Sequence, residues 1–124
     1  MREGRTDYRL QRRAVLEDVR VGRRTRDEVC DAHPELVRAG RHLSSPAGDP
    51  CPVCEGDGLA LVSYVFEGRD PRSRSGRVVP RESLAQQAER YGEVTVYTVE
   101  VCPPCGWHHL RESFRLLAPD VAAR

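Results

Sequence analysis

The sequence predicts an α+β fold in which a small N-terminal part of three helices, residues 1–45, precedes an antiparallel β module of the ribbon type, residues 46–124, with one inserted helix. Three observations predict it. Residues before position 45 space their apolar side chains at helical intervals between capping signals. Two Cys-Pro-x-Cys pairs, Cys51-Pro-Val-Cys54 and Cys102-Pro-Pro-Cys105, stand far apart in the chain. Runs rich in Val and aromatic residues leave the first pair and lead into the second.

The chain has 124 residues, enough for one domain or two very small ones. Hydrophobic residues are 39% and charged residues 31%, values of an ordinary globular chain that argue against disorder throughout. A formal net charge of +1 excludes a general polyanion-coating role, so any nucleic-acid contact has to come from local patches. Apolar stretches such as Leu59 to Val62 are far too short to span a membrane. The opening MREGRTDYR lacks the apolar core of an export signal, so a cytoplasmic location is expected. Lys, Ile and Asn are absent and all 20 basic residues are Arg. Codon bias of a GC-rich genome accounts for that better than chemistry does.

In a reducing compartment structural disulfides are rare, and two C-x-x-C pairs read as a four-thiolate zinc site. Two residues between cysteines let a tight turn aim both sulfurs at one ion, and Pro52 and Pro103 preset φ at the first step. Gly56 and Gly106, just beyond the second cysteine of each pair, are free to take positive φ and turn backbone N–H groups toward the thiolates. Cys51, Cys54, Cys102 and Cys105 are therefore the expected ligands of one structural Zn²⁺, and the module is expected to be a zinc ribbon. A thioredoxin-like redox pair is the rival reading, but two matching knuckles fit zinc better. Four thiolates and one Zn²⁺ carry a charge of about −2, which makes the loaded protein slightly acidic.

The elements follow in order. Asp7 to Gly22 reads as a helix with Tyr8, Val15, Leu16 and Val19 on one stripe. Thr25-Arg-Asp-Glu28 is a capping box that opens a second short helix, and Pro34 starts a third through Leu43. Together they resemble a helix-turn-helix in outline, although a helical cap packed on the zinc module is the plainer reading. Ser44 to Pro50 reads as a linker, Leu59 to Phe66 as a strand, and Gly68 to Arg77 as an arginine-bearing loop. Arg81 to Tyr91 reads as a helix and Glu93 to Val101 as the clearest strand. Trp107 to Leu117 fits both periods; Gly106 disfavours a helix starting at once, so a strand is expected. Cys30 reads as a small buried hydrophobe, and His108 and His109 as ordinary hairpin residues. No Gly-rich phosphate loop, metalloprotease helix or nucleophile elbow is present.

The order VCDAH at 29–33, CPVC, LALVSYVF, VYTVEVC and CGWHHL resembles a family of small actinobacterial proteins of unknown function, with an N-terminal helical part and two cysteine pairs. The resemblance covers about Tyr8 to Leu117 and implies an actinobacterial cytoplasmic protein. It implies no activity.

The expected function is that of a non-enzymatic adaptor, with no small-molecule substrate, binding nucleic acid or a transcription or translation complex. Arg38, Arg41, Arg69, Arg72, Arg74 and Arg77 are the candidate contacts, and residues 1–45 hold eleven arginines against eight acidic residues. A protein–protein module without nucleic-acid contact and a thiol redox protein are the alternatives.

Overall fold

The computed structural model describes residues 1–68 and 76–119. The chain runs β1 (Arg2–Asp7), α1 (Arg9–Arg20), α2 (Arg26–Val29), α3 (Pro34–His42), β2 (Ser45–Pro46), β3 (Ala60–Glu67), β4 (Arg77–Val79), a 3₁₀ turn (Arg81–Ser83), α4 (Leu84–Tyr91), β5 (Glu93–Val101) and β6 (His108–Leu117). The expected mix of helices and antiparallel sheet is present. The segment after the second knuckle is a strand, hairpinned to β5.

The sheet has the order β1-β6-β5-β3-β2, with β4 also pairing β3. Every pairing is antiparallel. Alternation along β3 and β5 assigns the two faces. Val62 and Val101 pack under Leu36 and Ala39 of α3, while Val65, Val94 and Val96 pack with Phe114 under Leu84 and Ala88 of α4. Helix α3 comes unusually close because Gly40 faces the sheet: a Cβ there would lie 2.7 Å from Val101 Cγ1. Among the described residues no helix is long and apolar enough to cross a membrane.

Several boundaries differ from expectation, each for a local reason. Helix α1 begins at Arg9 because Asp7 belongs to β1 and its Oδ1 accepts the Arg9 N–H at 2.7 Å. The capping box at Thr25 and Glu28 forms in full, and Pro34 occupies the first turn of α3. The expected linker contains β2, paired to Ala60 and Leu61. The expected loop ends sooner, since Arg77 is the first residue of β4; Arg69, Arg72 and Arg74 lie outside the described residues. Strand β1 was not foreseen. Its sequence REGRTD carries no apolar alternation, and it is held as an edge strand along β6. Residues before position 45 thus contribute a strand to the same sheet as the ribbon. Val15, Leu16, Val19 and Val29 from the helices join Cys51, Leu59, Cys102 and Trp107 in one apolar cluster.

Two bulges mark the β1–β6–β5 corner. In β1, Gly4 and Arg5 together oppose a single residue of β6, and Gly4 takes a φ of +60°. In β6, Arg111 is the extra residue between the pairs Thr98–Glu112 and Val99–Leu110.

Gly40→Ala is expected to cost about 1–3 kcal/mol, the range for overpacking a filled core. A fall in the urea midpoint at unchanged slope would show it; an unchanged midpoint would show that α3 does not need this close approach.

Candidate metal centre

Antiparallel pairing of β3 with β5 places Ala60 opposite Val101, so the residues just before β3 and just after β5 meet at one end of the sheet. That register brings the two knuckles together. The Sγ atoms of Cys51, Cys54, Cys102 and Cys105 all lie within 4.8 Å of one another. Across the knuckles, Cys51 and Cys105 are 3.7 Å apart and Cys54 and Cys102 are 3.6 Å apart. The four sulfurs are positioned to hold one metal ion, two nearly sealed from solvent and two partly exposed.

Each knuckle closes by its own backbone bonds. Glu55 N–H donates to Cys51 O at 2.9 Å, and Gly106 N–H to Cys102 O at 2.7 Å. Further N–H groups point at sulfur: Val53 to Cys51 and Gly56 to Cys54 at 3.4 Å, Trp107 to Cys105 at 3.5 Å. These dipoles offset the charge of bound thiolates. The expected glycine roles are half corrected. Gly106 takes a φ of +88°, but in the first knuckle the left-handed residue is Glu55, at +63°. The equivalent position is the one directly after the second cysteine, which is Glu55 in one knuckle and Gly106 in the other. Gly56, one step further on, lies close to sulfur instead: a Cβ there would be 3.3 Å from Cys54 Sγ.

Gly106 has a second duty. A Cβ at that position would lie 2.5 Å from Cys30 O, and Gly106 O accepts the Ala32 N–H at 3.0 Å. The turn between α2 and α3 therefore docks directly on the second knuckle. This docking brings the fifth cysteine to the cluster, with Cys30 Sγ 3.9 Å from Cys105 Sγ. Its position between Val29 and Ala32 signals burial, not this neighbour, so sequence reasoning had no means of finding it. His108 reaches outward to Asp31 at 3.0 Å, and His109 stacks on Trp107 with ring centroids 6.0 Å apart. Neither belongs to the sulfur cluster.

Beneath the knuckle lies a buried polar chain. Glu100 is fully buried; its two oxygens accept from Arg12 Nε and from Trp107 Nε1, each at 2.7 Å. Trp107 is itself fully buried and its backbone N–H points at Cys105 Sγ. Helix α1 is thereby joined to the metal centre through two charge-assisted bonds.

Of the candidate arginines, Arg38 and Arg41 stand exposed on α3 and carry no ion pair among the described residues. Arg77 is engaged: it meets Glu67 at 3.5 Å, donates to Gln87 and lies over the Tyr91 ring.

Burial holds the Cys51, Cys102 and Cys105 thiols above their ordinary value of 9.0, while the Gly56 N–H lowers Cys54. A raised thiol value stabilises the metal-free fold below the ordinary thiol range, and that stability is lost as pH rises through the folded values. Metal binding reverses the sign, because protons then compete with the ion for sulfur. Metal-free protein is thus expected to lose stability above about pH 9, and metal-loaded protein to release its ion on acidification. Urea midpoints of both forms across pH check this. Arg12→Met is expected to cost about 3–5 kcal/mol by stranding the Glu100 carboxylate, measurable in the same unfolding experiment.

Residues 1–124 match the profile of a family of unknown function, DUF5318. The chain is 43% identical over 116 residues to an uncharacterised protein of Mycobacterium bovis, Mb0050, covering 94% of this chain and 84% of that one. It has the same identity and coverage with an uncharacterised protein of Mycobacterium tuberculosis strain H37Rv, Rv0049. No solved structure matches the chain. The family resemblance carried by the cysteine pairs and their flanking strands holds over the whole length, and the chain belongs to the DUF5318 family.

Proposed function

We propose that this protein is a non-enzymatic cytoplasmic adaptor whose single Zn²⁺, held by Cys51, Cys54, Cys102 and Cys105, is structural, and whose α3 contacts nucleic acid or a transcription or translation complex. The sulfur geometry supports zinc. Tetrahedral zinc with Zn–S bonds of about 2.3 Å sets sulfurs about 3.8 Å apart. The cross-knuckle distances here are 3.7 and 3.6 Å. Four thiolates saturate such an ion and leave no position for a water or a substrate, which favours an architectural role.

The observation that carries the contact surface is the free cationic side of α3. Leu36, Ala39 and Gly40 turn inward, while Arg38, Arg41 and His42 line an open groove of about 500 Å³ with Val37 and Pro34. Most other described arginines are held by carboxylates of the same chain, as Arg20 is by Glu17 and Arg23 by Asp18. Unpaired guanidiniums on one helix are what a phosphate backbone recruits. Arg77 lies apart from this surface, between Glu67 of β3 and Gln87 and Tyr91 of α4.

Native mass spectrometry is expected to find one zinc per chain and no disulfide. Binding to RNA or DNA is expected to weaken steeply with salt, with a slope reduced by about two in the Arg38→Gln/Arg41→Gln double variant. Absence of salt-sensitive binding would remove direct nucleic-acid contact, and a nuclease-resistant protein partner would select a protein–protein module instead. One observation favours the redox reading, the 3.9 Å approach of Cys30 to Cys105; reversible disulfides without bound metal would establish it in place of structural zinc.

A further inference from the structure

Away from the sulfur cluster, β1, the start of α1 and the bulge of β6 enclose a cavity of about 360 Å³. Arg5, Arg9, Arg12 and Arg111 line it with Asp7, and each of the four guanidiniums also meets a carboxylate: Glu112, Asp7, Glu100 and Asp49 in turn. We propose that this cavity is a binding site for the phosphoryl group of a small phosphorylated molecule.

The donors that line the cavity are only partly used. Arg12 donates through Nε to Glu100 at 2.7 Å, which fixes its guanidinium at the wall. Arg9 meets Asp7 through Nε at 3.6 Å, and Arg5 uses Nε on Glu112 at 2.7 Å. Arg111 reaches the exposed Asp49 through Nη2 at 3.3 Å, whereas its Nη1 is buried without any hydrogen-bond partner. No other buried side-chain nitrogen or oxygen among the described residues is left in that state. A guanidinium carries five N–H donors, so these four side chains keep unspent donors beside the cavity. An unmet buried donor is costly, and it marks a place where a partner belongs.

The backbone builds the site deliberately. Arg5 and Arg111 are both bulge residues, and bulges re-aim side chains. The Arg111 carbonyl accepts the Tyr8 N–H at 3.2 Å, which ties the bulge to the residue preceding α1. Helix α1 runs for twelve residues from Arg9 with no acidic residue in its first turn, and of its leading N–H groups Asp7 Oδ1 takes that of Arg9. Its N-terminal partial positive charge adds to that of the guanidiniums. Arginine forks match phosphate oxygens in pairs, and a phosphoryl dianion satisfies several forks together. The volume lies in the range of small-molecule sites, although the lining is polar, which selects a charged ligand over an apolar one.

The site lies apart from the α3 surface, so the two readings fail separately. The test titrates the metal-loaded full-length chain with inorganic phosphate, pyrophosphate, AMP and a single-stranded RNA oligonucleotide, by calorimetry at low salt. Saturable binding of pyrophosphate and AMP is expected, with a rise in melting temperature. Arg9→Gln and Arg111→Gln are each expected to weaken that binding about tenfold. Without ligand, both variants should keep the parental metal content, and Arg111→Gln should be no less stable because it removes an unmet donor. Arg12 is left intact since it holds Glu100. Lack of saturable binding up to about 10 mM overturns the proposal. So does binding unaffected by both substitutions, or binding lost in Arg38→Gln/Arg41→Gln instead. Binding of the oligonucleotide alone, with none of the small phosphates, overturns it too by assigning the arginines to a nucleic-acid backbone.

Discussion

The structure depends on two cysteine knuckles meeting at one end of the sheet. Neither knuckle can hold an ion alone, and the chain between them makes an excursion through β3, β4 and α4 before returning along β5. The antiparallel register of β3 with β5, from Glu67–Val94 to Ala60–Val101, delivers both turns to the same place. The cost of closing so long a loop grows only logarithmically with its length. An ion shared by the four sulfurs would in turn lock that register, because a one-residue slip of either strand would separate the pairs and exchange the residues that face α3 and α4.

Around this clasp the N-terminal helices behave as part of the centre. The turn after α2 rests its Cys30 carbonyl on Gly106, which only a residue without Cβ allows. Helix α1 is anchored through Arg12 to a carboxylate that has lost all contact with water. A buried ion pair of this kind adds little net stability compared with apolar packing, but losing one partner is expensive. Its effect is to fix position: the Arg12–Glu100–Trp107 chain ties α1 to Trp107, whose backbone N–H faces Cys105 Sγ.

The arginines divide by what they touch. Many are tied to carboxylates at the surface, such as Arg20 with Glu17 and Arg23 with Asp18, and exposed pairs like these contribute little stability. They cancel long-range charge, in keeping with the near-neutral total. Arg38 and Arg41 on the outer side of α3 make no such pair, whereas the arginines around the β1–β6 corner each meet a carboxylate and keep further N–H donors. Local chemistry on this chain is therefore carried by placement and not by overall charge.

Much of this was legible from residues alone. The four cysteines that cluster were, because a C-P-x-C turn is encoded within four residues and its chemistry needs no distant partner to be recognised. The helices α2 and α3 were, through the Thr25–Glu28 box and Pro34, and so were β3 and β5 through their Val-rich alternation. Only the folded chain decided the rest. Strand β1 is polar at every pleat and exists because β6, more than a hundred residues away, offers it an edge. Cys30 meets Cys105, Arg12 meets Glu100 and Arg111 joins Arg5 for the same reason. Periodicity and capping are short-range properties of a chain, whereas these contacts are consequences of strand register and helix docking, which no local window of sequence contains.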